Sequence, residues 1–241
     1  MGNAVGRFKE LCLDTTGDGE EVGRFWAAAT GCQYVGNDRL DYPGDVVGAE
    51  EGMGIAICRV PEAKTVKNRV HLDLHALAVD DLLALGATVD PVQHEEDSWT
   101  VMHDPEGNEF CAFVRPPDRV PAYKVYELGV DCADAVAIGS WWAEIFGVEI
   151  HRRDDQPWCW LEGVPGFPME AWVFAPVPEP KTVKNRLHWD LYGDVADFEA
   201  RGATRLWDGP AEELPDGTVG TPRWIVMADP EGNEFCVFPD D

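Results

Sequence analysis

The chain has 241 residues, 45% of them hydrophobic, and a formal net charge of −26. Its acidic residues are spread along the chain rather than gathered in a tail, so the charge reads as a solvated surface that repels nucleic acid and anionic membranes. No apolar run reaches the roughly 18 residues of a spanning helix, and the opening MGNAVGRFKE lacks the apolar stretch of a signal peptide.

The first predicted element is a strand over residues 8–14, with Phe8, Glu10 and Cys12 on one face and Leu11 and Leu13 on the other. A helix follows over residues 18–29, because Val22, Phe25, Trp26 and Ala29 recur at helical spacing and Gly31 stops it. Short strands are expected near residues 32–35 and 54–60, then a strand over 70–74. A second helix over 79–85 ends at Gly86, and strands over 99–103 and 109–114 close the first half. The Pro-rich stretch 115–124 reads as a linker. The pattern then restarts with a strand over 125–131 and a helix over 135–146, stopped by Gly147, with Trp141-Trp142 where the first half has Phe25-Trp26.

Two long strings occur twice in the same order. KTVKNR spans Lys64 to Arg69 and Lys181 to Arg186, 117 residues apart, and each copy leads into His-x-Asp-Leu at His71, Asp73, Leu74 and His188, Asp190, Leu191. DPEGNEFC spans Asp104 to Cys111 and Asp229 to Cys236, 125 residues apart. The chain is therefore an internal duplication with about eight residues inserted in the second copy. The expected domains are 1–114 and 125–241, each with two βαβββ-like modules, separated by the linker 115–124. The DPEGN string has a local reason as well: Pro fixes φ, while Gly and Asn tolerate positive φ, so the chain reverses tightly between two strands. Seven cysteines, an odd number with no CxxC pair, point to free thiols in a reducing cytoplasm. Gly2 is followed at position 6 by Gly6 rather than Ser or Thr, which argues against myristoylation.

The module order, the Phe-Trp helix, the His-x-Asp-Leu strand and the closing DPEGNEF hairpin resemble the vicinal-oxygen-chelate superfamily, which includes glyoxalase I, the extradiol dioxygenases and the bleomycin-resistance proteins. The nearest resemblance is to glyoxalase-like domain proteins of actinobacteria, in two tandem copies. It covers residues 8–114 and 125–238 and implies an α+β fold. Paired βαβββ modules would form cup-shaped, mostly antiparallel sheets with helices outside and the site on the concave face.

Metal-using members draw ligands from first and last strands of the modules. Carried over by position, the resemblance implies Glu10, His71 and Cys111 in one copy and Glu127, His188 and Cys236 in the other, as ligands for Fe, Zn, Mn or Ni. The closing position is usually Glu, so Cys111 and Cys236 depart from the pattern; a metal-free site with cysteine as a small buried hydrophobe is the alternative. Glu109 and Glu234 share a strand face with these cysteines and are a second source of carboxylate. At the remaining ligand position only Cys58 offers a donor, its counterpart being Ala175, and Cys12 and Cys58 are candidates for a thiol cluster near Glu10.

His71 with Asp73, and His188 with Asp190, stand at i, i+2 and share a strand face, which suits an acid/base pair in which the Asp raises the imidazole's pKa and fixes its tautomer. Trp26 and Trp142 are expected in the core. Trp99, Trp158, Trp160, Trp172, Trp189 and Trp224 are the candidates for an aromatic pocket wall, and the larger number in the second half points to a cup there as the functional one.

Two function classes follow. One is an enzyme of lyase, isomerase or dioxygenase type acting on a small aromatic metabolite. The other is a non-catalytic binder, such as a bleomycin-resistance-like protein that sequesters a cationic antibiotic. The partner is a small molecule in both, with no nucleic acid and no membrane. The quaternary expectation is a monomer with an internal pseudo-twofold axis, or a homodimer.

Overall fold

The computed structural model of the chain describes residues 3–93, 98–213 and 219–239; Gly2 lies outside them. Four modules follow one another. The first is β1 (Gly6–Thr15), α1 (Glu20–Thr30), β2 (Gln33–Gly36), β3 (Gly44–Val47) and β4 (Ile55–Arg59). The second is β5 (Val70–Ala76), α2 (Val79–Ala84), β6 (Thr88–Val89), β7 (Thr100–His103) and β8 (Glu109–Val114). The third is β9 (Val125–Cys132), α3 (Ala135–Phe146), β10 (Ile150–Arg152), β11 (Cys159–Leu161) and β12 (Ala171–Pro176). The fourth is β13 (Leu187–Gly193), α4 (Val195–Glu199), β14 (Thr204–Asp208), β15 (Ala211–Glu213), β16 (Val219–Pro222), β17 (Ile225–Ala228) and β18 (Glu234–Phe238). Strands β15 and β16 pair with each other as a separate two-stranded sheet and account for the extra length of the second copy.

The modules combine across the halves rather than within them. One eight-stranded sheet runs β14-β17-β18-β13-β1-β4-β3-β2, joining the first module to the fourth. The other runs β10-β11-β12-β9-β5-β8-β7-β6, joining the second to the third. Each is an open, mixed sheet in which β1–β4, β13–β18, β5–β8 and β9–β12 are parallel and the other ladders antiparallel. The seams are the antiparallel pairs β1–β13 and β5–β9.

Both seams carry a register shift at the same place. Phe8 faces Leu191 and Glu10 faces Asp190, so Lys9 is the extra residue; Asp73 faces Glu127 and Leu74 faces Val125, so Tyr126 is. A bulge of this kind switches the face on which the following side chains stand. Phe8 is thereby fully buried in the core, in edge contact with Phe167 at 5.1 Å and Trp172 at 6.2 Å, rather than sharing the face of Glu10 and Cys12 that simple alternation predicts.

The core is one apolar cluster into which α1 and α3 pack. Phe25 and Trp26 of α1 meet Phe110 of β8, and Trp142 of α3 lies against Trp172, Trp189 and Phe235, which come from both sheets. Each DPEGN hairpin is fastened to one of these helices. Asp104 accepts from the Trp26 indole at 2.9 Å and from the Glu106 and Asn108 amides and the Asn108 side chain. Asp229 accepts from the Trp142 indole at 3.2 Å and from the matching groups of Glu231 and Asn233. Gly107 and Gly232, at φ of 81° and 83°, make the turn that this network needs. Asp229→Ala strands a buried indole N–H and the Asn233 amide together, so a loss of about 2–3 kcal/mol is expected by urea unfolding; a change under about 0.5 kcal/mol would show the network to be dispensable.

Candidate functional site

The concave face of the sheet joining the second and third modules holds a cleft of about 920 Å³. Its floor is built by the seam. His71 and Asp73 come from β5, Cys111 from β8 opposite Asp73, and Glu127 from β9 on the other side of Asp73. Ligand-capable atoms of His71, Asp73 and Cys111 all lie within 4.8 Å of one another. The His71 ring packs over Gly129, where an added Cβ would come within 2.5 Å of Nε2.

Burial dominates the electrostatics of this floor. It pushes the Asp73 carboxyl well above its usual range, with the nearby Glu127 charge adding to the effect. It raises Glu127 to about 7, against hydrogen bonds from Tyr126 and Asp73 that work the other way. Burial lowers the His71 pKa despite the attraction of Asp131 and Glu109. The imidazole is thus held neutral, not made more basic as pairing with Asp73 predicts; its Nε2 stands 3.6 Å from Asp73 Oδ1, beyond hydrogen-bond reach.

The walls are aromatic. Trp99 and Trp158 line the cleft with 36% and 39% of their surface still exposed, and Trp160, Phe113 and Tyr126 complete the wall. Trp99 lies 5.5 Å from Phe113, which lies 5.3 Å from Tyr126. Exposed indoles on a concave face are unusual for packing and suited to stacking on a flat ligand.

The other sheet repeats the floor with different surroundings. His188, Asp190 and Cys236 offer donor atoms within 4.8 Å of one another, and so do Cys12, Asp14 and His188. Burial lowers His188 to about 3 and raises Asp190 to about 7, the latter with help from the Glu10 charge. Lys9, at the bulge position taken by Tyr126 in the other cup, forms an ion pair with Glu10 and lies 4.5 Å from the Phe238 ring centre.

The KTVKNR strings serve both floors. Lys64 bonds Glu109 at 2.8 Å and the Asn68 amide bonds the same carboxylate at 3.0 Å; Lys181 and Asn185 do the same to Glu234 at 2.7 and 3.1 Å. Those two carboxylates are therefore held by their own repeats. Lys67 reaches across to Asp131 and Lys184 to Asp14, so each string also ties one half to the other.

Several expected groupings are redistributed. Glu10 belongs with His188 and Cys236, and Glu127 with His71 and Cys111, because the seam strands come from opposite halves. His188 and Asp190 do not share a cup with Trp158 and Trp160; His71 and Asp73 do. Trp172 and Trp189 are completely buried in the core and line neither cup, their rings 4.9 Å apart beside Trp142. Trp224 stacks on Phe238 in the other sheet. Asp73 and Asp190, read as partners of the histidines, stand among the metal-capable donors, and strand alternation alone could have suggested it. Buried Asp73 Oδ1, Asp190 Oδ1 and His188 Nδ1 have no hydrogen-bond partner, and unpaired buried polar atoms of this kind fit a bound cation. The nitrogen, oxygen and sulfur donors match Zn or Fe better than Mg or Ca.

Among the described residues no helix is long and apolar enough to cross a membrane. The model of a family described as Glyoxalase-like domain matches residues 10–113 and 127–238. No curated protein matches the chain. Among solved structures, glyoxalase I from Zea mays is similar with a TM-score of 0.67 at 11% identity, over 97% of this chain and 92% of that one. A candidate dioxygenase from Bacillus subtilis is similar with a TM-score of 0.62 at 11% identity, over 99% of this chain and 86% of that one. At that identity the likeness is one of fold.

Proposed function

The chain belongs to the Glyoxalase-like domain family, and on that premise we propose that the cup of the second and third modules is the active cup of a lyase, isomerase or dioxygenase-type enzyme acting on a small aromatic molecule. The observation that carries this reading is the coincidence, in one cleft, of exposed indoles with the carboxyl pair of buried Asp73 and half-buried Glu127 beside His71. Carboxyls with raised pKa can hold a proton near neutrality and give or take it at the ligand. Neutral His71 is a suitable nitrogen donor or hydrogen-bonding group. His71, Asp73, Cys111 and Glu127 are the residues that would hold a divalent metal. Such a metal would supply Lewis-acid chemistry toward neighbouring oxygens of the ligand. Trp158 and Trp160 would orient the ring, and the walls would exclude water.

A second reading is a binder without catalysis. Glu162 and Glu170 at the cleft favour a cationic aromatic ligand for it, held by stacking and charge.

Both readings need the tryptophans; only the first needs the floor. Catechol is the probe, followed by quenching of indole fluorescence. Trp158→Ala with Trp160→Ala is expected to weaken catechol binding at least tenfold while the fold stays intact. Asp73→Asn is expected to remove turnover in an assay of oxygen uptake with catechol, or of isomerisation with an α-oxoaldehyde thiol adduct, and to leave ring binding within about threefold. Unchanged catechol affinity in the double tryptophan variant would remove the cup from consideration.

A further inference from the structure

The two KTVKNR strings line a second cleft, of about 940 Å³, which shares Lys67 and Asp131 with the proposed active cup. Matching residues of both copies face it: Val66 and Val183, Lys67 and Lys184, Arg69 and Arg186. The strings hold six of the chain's 19 lysines and arginines and no acidic residue, in a protein of net charge −26. Their structural duties explain only part of this. Lys64 and Lys181 hold the floor carboxylates. Arg69 donates to the Glu179 carbonyl at 2.7 Å, and Arg186 to the carbonyls of Glu62 and Asp14 at 2.5 and 2.9 Å, so each guanidinium pins its string to the other half. Val66 and Val183 have no such duty: they are 44% and 42% exposed and lie outside the core. Lys67 and Lys184 are 62% and 48% exposed, and among the described residues each bonds one carboxylate, buried Asp131 or buried Asp14. An ammonium has three donors, so each lysine keeps donors for a ligand. Asp14, Asp131, Glu62 and Glu179 line the cleft as well, against five lysines and arginines. Both aspartates are covered by their lysines and both glutamates are exposed, so the cleft is a cationic spot in an acidic protein.

We infer that this cleft is a second ligand site, for a small organic dianion of the aliphatic α,ω-dicarboxylate class. One carboxylate would sit at Lys67 and the other at Lys184, with the methylene chain on Val66 and Val183. The duplication supplies the two equivalent cationic ends, which a ligand with a single acidic group would use only by half. The valines favour a methylene chain between the ends over a compact anion. A phosphate would draw on guanidinium forks, and here the donors of Arg69 and Arg186 are spent on backbone carbonyls. The acidic surface elsewhere repels such a ligand, so the strings are where it can settle. The site stands apart from the aromatic cup and does not rest on the activity proposed for it.

The test is calorimetric titration of the full chain, at low ionic strength, with the diacids from succinate to sebacate. The expected result is one equivalent bound, with affinity peaking at one chain length and falling as sodium chloride is added. The best diacid is expected to bind at least about tenfold more tightly than octanoate, which has one acidic end, and than pyrophosphate, which has no apolar middle. Val66→Glu/Val183→Glu puts two like charges against the ligand at exposed positions. It is expected to weaken the best diacid at least about tenfold, with the urea midpoint unchanged. Because Val66 and Val183 do not line the cup, catechol binding by this variant is expected to stay within about twofold of the parent. Lys184→Gln, which also spares the cup, is expected to bring the best diacid down toward octanoate. Octanoate or pyrophosphate binding as tightly as the best diacid, or undiminished diacid binding in Val66→Glu/Val183→Glu or in Lys184→Gln, would each overturn the assignment, as would the absence of any diacid binding.

Discussion

Trp172→Ala should cost about 3–5 kcal/mol of stability, while Trp158→Ala should cost under about 0.5 kcal/mol. Both residues belong to the aromatic set that the sequence marks for a pocket wall, and the structure separates them completely. Trp172 has no exposed surface and lies within ring-contact distance of Phe8, Trp142, Phe146, Phe167 and Trp189. Truncation there opens a void that a close-packed neighbourhood of rings cannot collapse to fill. Trp158 is 39% exposed at the cup wall, and its truncation opens onto the cleft that is already there, so no closed void is left in the core. Urea unfolding of the two variants, read as midpoint and slope, tests this directly. Comparable losses would mean that Trp158 is a packing residue and that the cup wall has been misread.

Asp190→Asn should leave stability unchanged at pH 4 and raise it by a few kcal/mol at pH 8, measured on protein in chelator. Burial first, and the Glu10 charge second, raise the Asp190 carboxyl to about 7. The unfolded chain gives up this proton near pH 4, whereas the folded chain keeps it until about 7. Between those values the folded state binds more protons than the unfolded state. Its stability therefore falls as pH rises through the window and levels off above it. A shift of about three units corresponds to roughly 4 kcal/mol at most. His188, lowered to about 3 by burial, works in the opposite sense: the unfolded chain takes up its proton first as pH falls, so this group costs stability below the ordinary imidazole range. It is present in both proteins and cancels in the difference between them. Parallel stability curves for parent and variant from pH 4 to 8 would mean that Asp190 is ionised in the folded state, and the account of a dry floor would be wrong.

Much of this was legible in the chain itself. The repeated strings KTVKNR and DPEGNEFC establish the duplication, and the turn chemistry of Asp104-Pro105 and Asp229-Pro230 places the closing hairpins where they are found. The helix over 18–29 is found as α1, starting two residues later. The pairing of modules across halves was not legible, because alternation along β1 says which side chains share a face and nothing about whether β5 or β13 lies beside it. Lys9 and Tyr126 likewise carry no local mark of a bulge, so the turn of Phe8 into the core follows only from the β1–β13 register. The loss of Trp172 from the expected cup lining, in which Trp99 stays, has the same origin: composition marks a tryptophan as useful, but the side of the sheet on which it stands is set by its neighbours.

The crossed pairing of modules has a further consequence. A symmetric pair of identical single-repeat chains would build two cups from the same residues, and every substitution would appear in both at once. Fusing the two copies through residues 115–124 breaks that bond between the cups. Position 12 can be cysteine while position 129 is glycine, although they occupy corresponding places on the two seams. The linker also makes the meeting of the two halves intramolecular, so both cups form at any dilution and without dependence on protein concentration. Each cup still takes one wall from each half, so neither half closes a cup alone. The chain is thus free to specialise its cups separately and is bound to keep both halves.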